Sequence, residues 1–187
     1  MSLFDRVYSL ATENHGVVTT AAAVKLGVKR KDLSRWVKMG RLVRYGRGVY
    51  RTTQYPPSIE DPYAIAVAEA GDSAYLCGES VLALLSLTPT NPRYINIAVT
   101  GRVRRQLDKS YRIHHGQAGY VPMIHEGIPI QKPLDAIRSC IGKLMSERLE
   151  AAARTAYEHG YLYEDDRDSL MAEIRNGNQA TAEGPKK

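Results

Sequence analysis

The sequence predicts an α+β chain in two parts, a small basic unit of three helices and a glycine-tipped hairpin followed by a mixed α/β domain. Three observations carry the prediction. Apolar residues at spacings of three and four recur in three short N-terminal runs, and a glycine closes each one (Gly16, Gly27, Gly40). Positive charge is concentrated in the same segment. Residues 1–55 hold eleven Lys or Arg against three acids (Asp5, Glu13, Asp32), a net +8, whereas the remainder holds fifteen bases against seventeen acids, a net −2. Past Tyr55, helical runs enclose a group of short β-prone segments.

Size and composition frame this reading. The 187 residues suffice for one small and one larger domain, with ordinary apolar and charged fractions. The expected division is a basic domain over 1–55, a mixed α/β domain over 56–175 and a flexible polar tail over 176–187. No run approaches the roughly 18 to 20 apolar residues that cross a bilayer, and Met1 to Leu10 lacks the pattern of a signal peptide, so a cytoplasmic location is expected, without membrane association. Cys77 and Cys140 form no CxxC pair, lie in segments that read as helical, and are expected as reduced, buried apolar residues.

Ser2 and Asp5 form an approximate capping pair for a first helix, with Leu3, Phe4, Val7, Leu10 and Ala11 on one stripe. Val17 and Val18 lead into Thr19 or Thr20, either able to cap a short helix from Ala21 to Leu26. A third helix runs from Lys29 or Arg30 to Met39, burying Leu33, Trp36 and Val37. Its outer face is then Lys31, Ser34, Arg35 and Lys38, with Arg30 in the opening turn. Lys29 is a poor N-cap, which makes this start the least defined boundary. Two β-prone runs around Gly46-Arg47-Gly48 make a hairpin carrying Arg41, Arg44, Arg47 and Arg51.

Nine bases against one acid between Lys29 and Arg51 exceed what a merely solvated face would carry, since such faces mix signs. Three helices, the third basic outside, followed by an arginine hairpin, read as a winged helix-turn-helix. Its third helix would enter a major groove of double-stranded DNA while the hairpin follows the backbone or minor groove. Arg35 and Lys31 suit base edges, and Ser34 suits base or phosphate. Lys38, Arg41, Arg44 and Arg51 suit phosphates, and Arg47 suits the minor groove.

These residues resemble the N-terminal domain of the AbiEi family. The resemblance lies in Gly16 to Thr20, in Leu26-Gly27 and in the run from Leu33 through Gly40 to Arg51. It continues through Tyr75 to Pro89, Ile95 to Val99 and Pro133 to Ile137, and so covers roughly Leu3 to Leu170. The resemblance implies an antitoxin and transcriptional repressor of an abortive-infection (type IV) toxin-antitoxin system. It further implies an operator with inverted repeats and a cognate nucleotidyltransferase-type toxin as partner, with direct contact between the two left open. The alternative is a regulator whose second domain senses a ligand or a protein and has no toxin partner.

In the second part, Pro56-Pro57-Ser58 reads as a linker, and Glu60-Asp61-Pro62 opens a helix striped by Tyr63, Ala66, Val67 and Ala70. Tyr75 to Leu87 reads as a second, buried helix. Strands are expected at Tyr94 to Val99, Tyr111 to His115, Met123 to Glu126 and Ile128 to Gln131, with helices from Pro133 onward and from Ser146 to about Ile174. A second basic cluster, Arg102, Arg104, Arg105, Lys109 and Arg112, is either a solvated loop or an extension of the DNA footprint.

Catalytic motifs are not apparent. His114 and His115 neighbour each other in a strand and point to opposite faces, and Glu164, Asp165, Asp166 and Asp168 lack ligand spacing. Gly46 to Arg51 fits neither GxGxxG nor a phosphate-binding loop, no HExxH occurs, and Ser80 lacks an elbow sequence. No catalytic residue, metal or cofactor is expected.

Overall fold

The computed structural model describes residues 1–101, 103 and 106–182. The N-terminal unit contains α1 (Leu3–Thr12), β1 (Val17–Thr19), α2 (Thr20–Lys25), α3 (Arg30–Lys38), β2 (Leu42–Gly46) and β3 (Val49–Thr52). A full capping box opens α1. The Ser2 hydroxyl accepts the Asp5 N–H at 3.1 Å, and the Asp5 carboxylate accepts the Ser2 N–H at 2.7 Å, which holds the Asp5 carboxyl below its usual range. Thr19 caps α2 by accepting the Ala22 N–H at 3.1 Å. Phe4, Val7, Ala11, Val18, Leu33, Trp36 and Leu42 are among the buried residues that close the core, where the Phe4 and Trp36 rings meet edge to face at 5.1 Å.

The three strands form an antiparallel sheet in the order β1-β3-β2. Val17 and Val18, expected as a connection, pair with Arg51 and Tyr50 across β3. Three residues are too short to show alternation, so only the long-range partner defines this strand.

The second part contains α4 (Asp61–Ala70), β4 (Ala74–Leu76), α5 (Glu79–Leu84), β5 (Ile95–Val99), β6 (Tyr111–His115), β7 (Met123–His125), β8 (Ile128–Ile130), α6 (Pro133–Arg138), α7 (Ser146–Glu158) and α8 (Glu164–Ala182). Its five strands form a mixed sheet in the order β6-β5-β4-β8-β7. The helix expected over Tyr75 to Leu87 is instead a strand and a shorter helix. Tyr75 and Leu76 belong to β4, at the centre of the sheet, between antiparallel β5 and parallel β8. Gly78, at φ +54°, turns the chain into α5. An apolar run buried all round carries no period that separates strand from helix.

One face of this sheet is covered by α4 and buries Leu76, Ile97, Val99 and Ile130. Helix α8 continues to Ala182, beyond Asn176, where the polar composition predicts a tail. The backbone at Gly177 passes close to Ile141, near enough that a Cβ would collide with it, so the helix is supported there by the turn after α6.

The two parts share buried surface. Val17 and Val49 of the first sheet are buried in the larger cluster with α4. His15 Nε2 lies 2.9 Å from the Glu126 carbonyl in the β7–β8 turn, and its Nδ1 lies 3.3 Å from the Ser58 hydroxyl. Gly127 lies against the Glu13 carbonyl, which a Cβ would overlap.

Candidate nucleic-acid interface

Helix α3 turns Leu33 and Trp36 fully inward, and the 3.6-residue period then fixes what faces out. Arg30, Lys31, Ser34, Arg35 and Lys38 are all exposed. Arg35 keeps 66% of its side chain in solvent despite an ion pair at 3.7 Å to Asp32 within the helix. In so open a setting the pair holds the guanidinium weakly. The Ser34 hydroxyl donates to the Arg30 carbonyl at 3.4 Å. Lys29 is an extended N-cap without a side-chain hydrogen bond, so α3 begins at Arg30.

The chain leaves α3 through Gly40 into β2, which packs against α3 and puts the next cations beside it. Arg41 is exposed, with its guanidinium 4.9 Å from the centre of the Phe4 ring. Arg44 is exposed and donates from Nε to the Gly46 carbonyl at 3.1 Å, which holds the side chain along the ribbon. The turn itself is Arg47-Gly48, with Gly48 at φ +81° and Arg47 exposed. Below the tip, the Glu69 carboxylate of α4 contacts Gly46 and accepts the Tyr111 hydroxyl at 2.9 Å. The hairpin is therefore braced against the second part of the molecule.

Arg51 does not join this surface. It is 8% exposed, sits 2.6 Å from Asp61, and donates to the carbonyls of Tyr55 and Pro56 at 3.2 and 2.9 Å. The expected phosphate contact gives way to an internal clasp between β3, the linker and α4. Burial is the reason, because all four residues of β3 are covered on both faces.

The second basic cluster divides. Arg102, Arg104 and Arg105 lie outside the described residues. Lys109 is exposed in the turn entering β6, beside Asp108, which faces the hairpin tip together with Arg47. Arg112 is also exposed but follows Tyr111 in β6, and adjacent strand residues take opposite faces. Tyr111 faces the hairpin, so Arg112 lies across the sheet from it and does not extend the same surface.

The hairpin's Val and Tyr side chains are expected from the sequence to pack back onto the helices; Val49 and Tyr50 are buried, but Val43 and Tyr45 are exposed next to these cations, as is Met39. Alternation predicts that a strand hides one face. The edge strand β2 instead leaves Val43, Arg44 and Tyr45 exposed in succession, and no local signal marks that.

Elsewhere, His114 binds Asn96 Oδ1 at 2.9 Å, and Glu164, Asp165 and Asp166 open α8, where Arg167 pairs with Glu164 and Asp168. Among the described residues no group of three or more His, Cys, Asp or Glu could hold a metal ion, and no helix is long and apolar enough to cross a membrane.

No curated protein matches the chain. A crystal structure of the RV2827C protein from Mycobacterium tuberculosis is similar over 91% of this chain and 81% of that one, at 18% identity and a TM-score of 0.39. Residues 5–53, which run from within α1 to the end of β3 and hold the exposed cations of α3 and the hairpin, match the family described as transcriptional regulator, AbiEi antitoxin. Over that segment, about a quarter of its length, the chain is similar to the AbiEi antitoxin transcriptional regulators.

Proposed function

We propose that residues 1–55 are a winged helix-turn-helix domain through which the chain binds the operator of its own operon and represses it. The observation that carries this reading is the outer face of α3, where burial of Leu33 and Trp36 leaves Arg30, Lys31, Ser34, Arg35 and Lys38 exposed beside Arg41, Arg44 and Arg47. In this reading α3 lies in the major groove of an operator with inverted repeats. Arg35 and Lys31 meet base edges, Ser34 meets base or phosphate, Lys38, Arg41 and Arg44 hold phosphates, and Arg47 enters the minor groove. The exposed Val43 and Tyr45 add apolar contact on the wing.

Residues 56–175 form the antitoxin domain, acting against a cognate nucleotidyltransferase-type toxin. The match of residues 5–53 to antitoxin regulators and the sequence resemblance beyond them support this part. Neither role calls for catalysis by this chain.

Gel-shift titrations with the DNA upstream of the gene test the groove assignment. Arg35→Ala should cost about 1 to 3 kcal/mol of operator affinity and relax sequence preference. Lys38→Ala should weaken all duplexes alike and lower the slope of log affinity against log salt by about 0.9. Unchanged titrations for both variants would refute the assignment. Co-expression with the neighbouring gene, scoring growth and promoter output together, tests the antitoxin role.

A further inference from the structure

The sheet face not covered by α4 forms the floor of a cleft. Alternation along β4, β5 and β6 sends Tyr75, Cys77, Asn96, Ala98, Arg112 and His114 to this side. Strand register sets Tyr75, Ala98 and His114 in one row and Asn96 beside Arg112 in another. The far wall is α6 and the turn after it, which contribute Arg138, Ser139 and Lys143. At one end Tyr120 stacks on Tyr75, with ring centres 5.0 Å apart and planes at 22°. The cleft holds about 770 Å³, within the usual range for a small-molecule site.

Its charges are unequally satisfied. Asp135 accepts the Tyr120 hydroxyl at 2.9 Å and faces Arg138 at 3.7 Å, while Glu79 accepts the Thr90 hydroxyl. Arg138 is neutralised further by two hydrogen bonds to Glu173, at 2.7 and 2.8 Å. Arg112 and Lys143 stand on opposite sides of the cleft, one on the floor and one on the wall. Among the described residues neither has a carboxylate at ion-pair distance. Lys143 donates to the Ser139 carbonyl at 2.7 Å, and Arg112 lies over the Tyr94 ring at 4.4 Å.

His114 responds to both cations. Burial first, then Lys143 and Arg112, push its pKa below the ordinary histidine value and so favour the neutral ring. Both cations therefore act on the same ring at the floor of the cleft.

The geometry points to this cleft as a binding site for a nucleotide, its phosphate held between Arg112 and Lys143 and its base toward the Tyr75–Tyr120 end. Two cations that line one cleft and, among the described residues, lack a carboxylate partner suit a phosphate dianion, which is recognised by charge-assisted hydrogen bonds. The volume exceeds what phosphate alone fills, and the aromatic end offers a planar partner for a base. One amide adds a donor to the site. Gln131 spends its carbonyl oxygen on the Gly78 N–H at 3.0 Å, which leaves its NH₂ free to donate. The assignment is independent of the DNA-binding reading, since Arg112 lies across the sheet from the hairpin.

Calorimetric titration of the whole chain with the four ribonucleoside 5′-monophosphates, inorganic phosphate and the matching nucleosides tests it. At least one nucleotide should bind more tightly than both inorganic phosphate and its own nucleoside. Arg112→Gln and Lys143→Gln alter exposed side chains and should each weaken that nucleotide about tenfold or more. Lys31→Ala, on the outer face of α3, should leave the titration unchanged. The assignment is overturned if no nucleotide saturates the protein at about 1 mM, or if Arg112→Gln and Lys143→Gln bind like the parent. Binding lost in Lys31→Ala would move the site to α3 and equally overturn it.

Discussion

Arg47 and Arg51 stand four positions apart in one hairpin, and burial gives them opposite roles. Arg47 is solvated at the tip, whereas Arg51 is enclosed with Asp61 and its Nε finds no partner among the described residues. Removing one member of a buried pair strands the other charge, at a cost of about 3–5 kcal/mol. Arg51→Met should therefore lower the urea midpoint strongly, and Arg51→Met combined with Asp61→Leu should recover part of the loss. Arg47→Ala should stay within about 0.5 kcal/mol of the parent in the same assay, as surface substitutions usually do. A normal urea midpoint for Arg51→Met would rule out the clasp. In the sequence the two arginines were alike, because Asp61 lies beyond the linker and pairing across a linker has no periodic signature. Ser2 with Asp5 was legible for the opposite reason, since both partners of that box sit within one helical turn.

At the scale of elements, legibility again followed locality. The α3 face could be read because Leu33 and Trp36 impose their period on every neighbour. β1 and β4 could not, since each exists through strands distant in sequence, β3 for one and β5 with β8 for the other. The same distinction hid the cleft, whose floor comes from three strands and whose wall comes from α6. A second long-range tie, Arg138 to Glu173, joins α6 to α8. Hydrogen bonds from Arg138 hold the Glu173 carboxyl below its usual range. A carboxylate whose folded pKa is depressed contributes stability above its unfolded value, about 4.3, and loses it as pH falls through the lower folded value. Glu173→Gln should therefore melt below the parent at pH 7, with the difference shrinking as pH drops under about 4. A gap between the melting temperatures that stays constant from pH 7 to pH 3 would show that the ion pair contributes nothing.

For the whole molecule, the question is whether the basic unit moves freely on its linker or is held to the α/β part. Besides the Arg51–Asp61 clasp and the Glu69 brace, three further contacts among the described residues hold it. Val17 and Val49 are 2% and 1% exposed within the larger core, His15 reaches the Glu126 carbonyl, and Gly127 presses on Glu13. Separating the parts would expose apolar surface and unpair a polar network, so both should unfold together. Trp36, the single tryptophan, sits in the N-terminal core and reports that part by fluorescence, while far-UV circular dichroism averages over every helix and strand. The two probes should give one coincident transition in urea. Gly127→Val adds a branched side chain at φ +85°, where its Cβ would overlap the Glu13 carbonyl. That variant should pull the turn off α1 and separate the fluorescence midpoint from the dichroism midpoint. Two separate transitions in the parent chain would mean that the shared surface is too weak to couple the parts, and that the cations of α3 are presented on a free arm rather than a fixed frame.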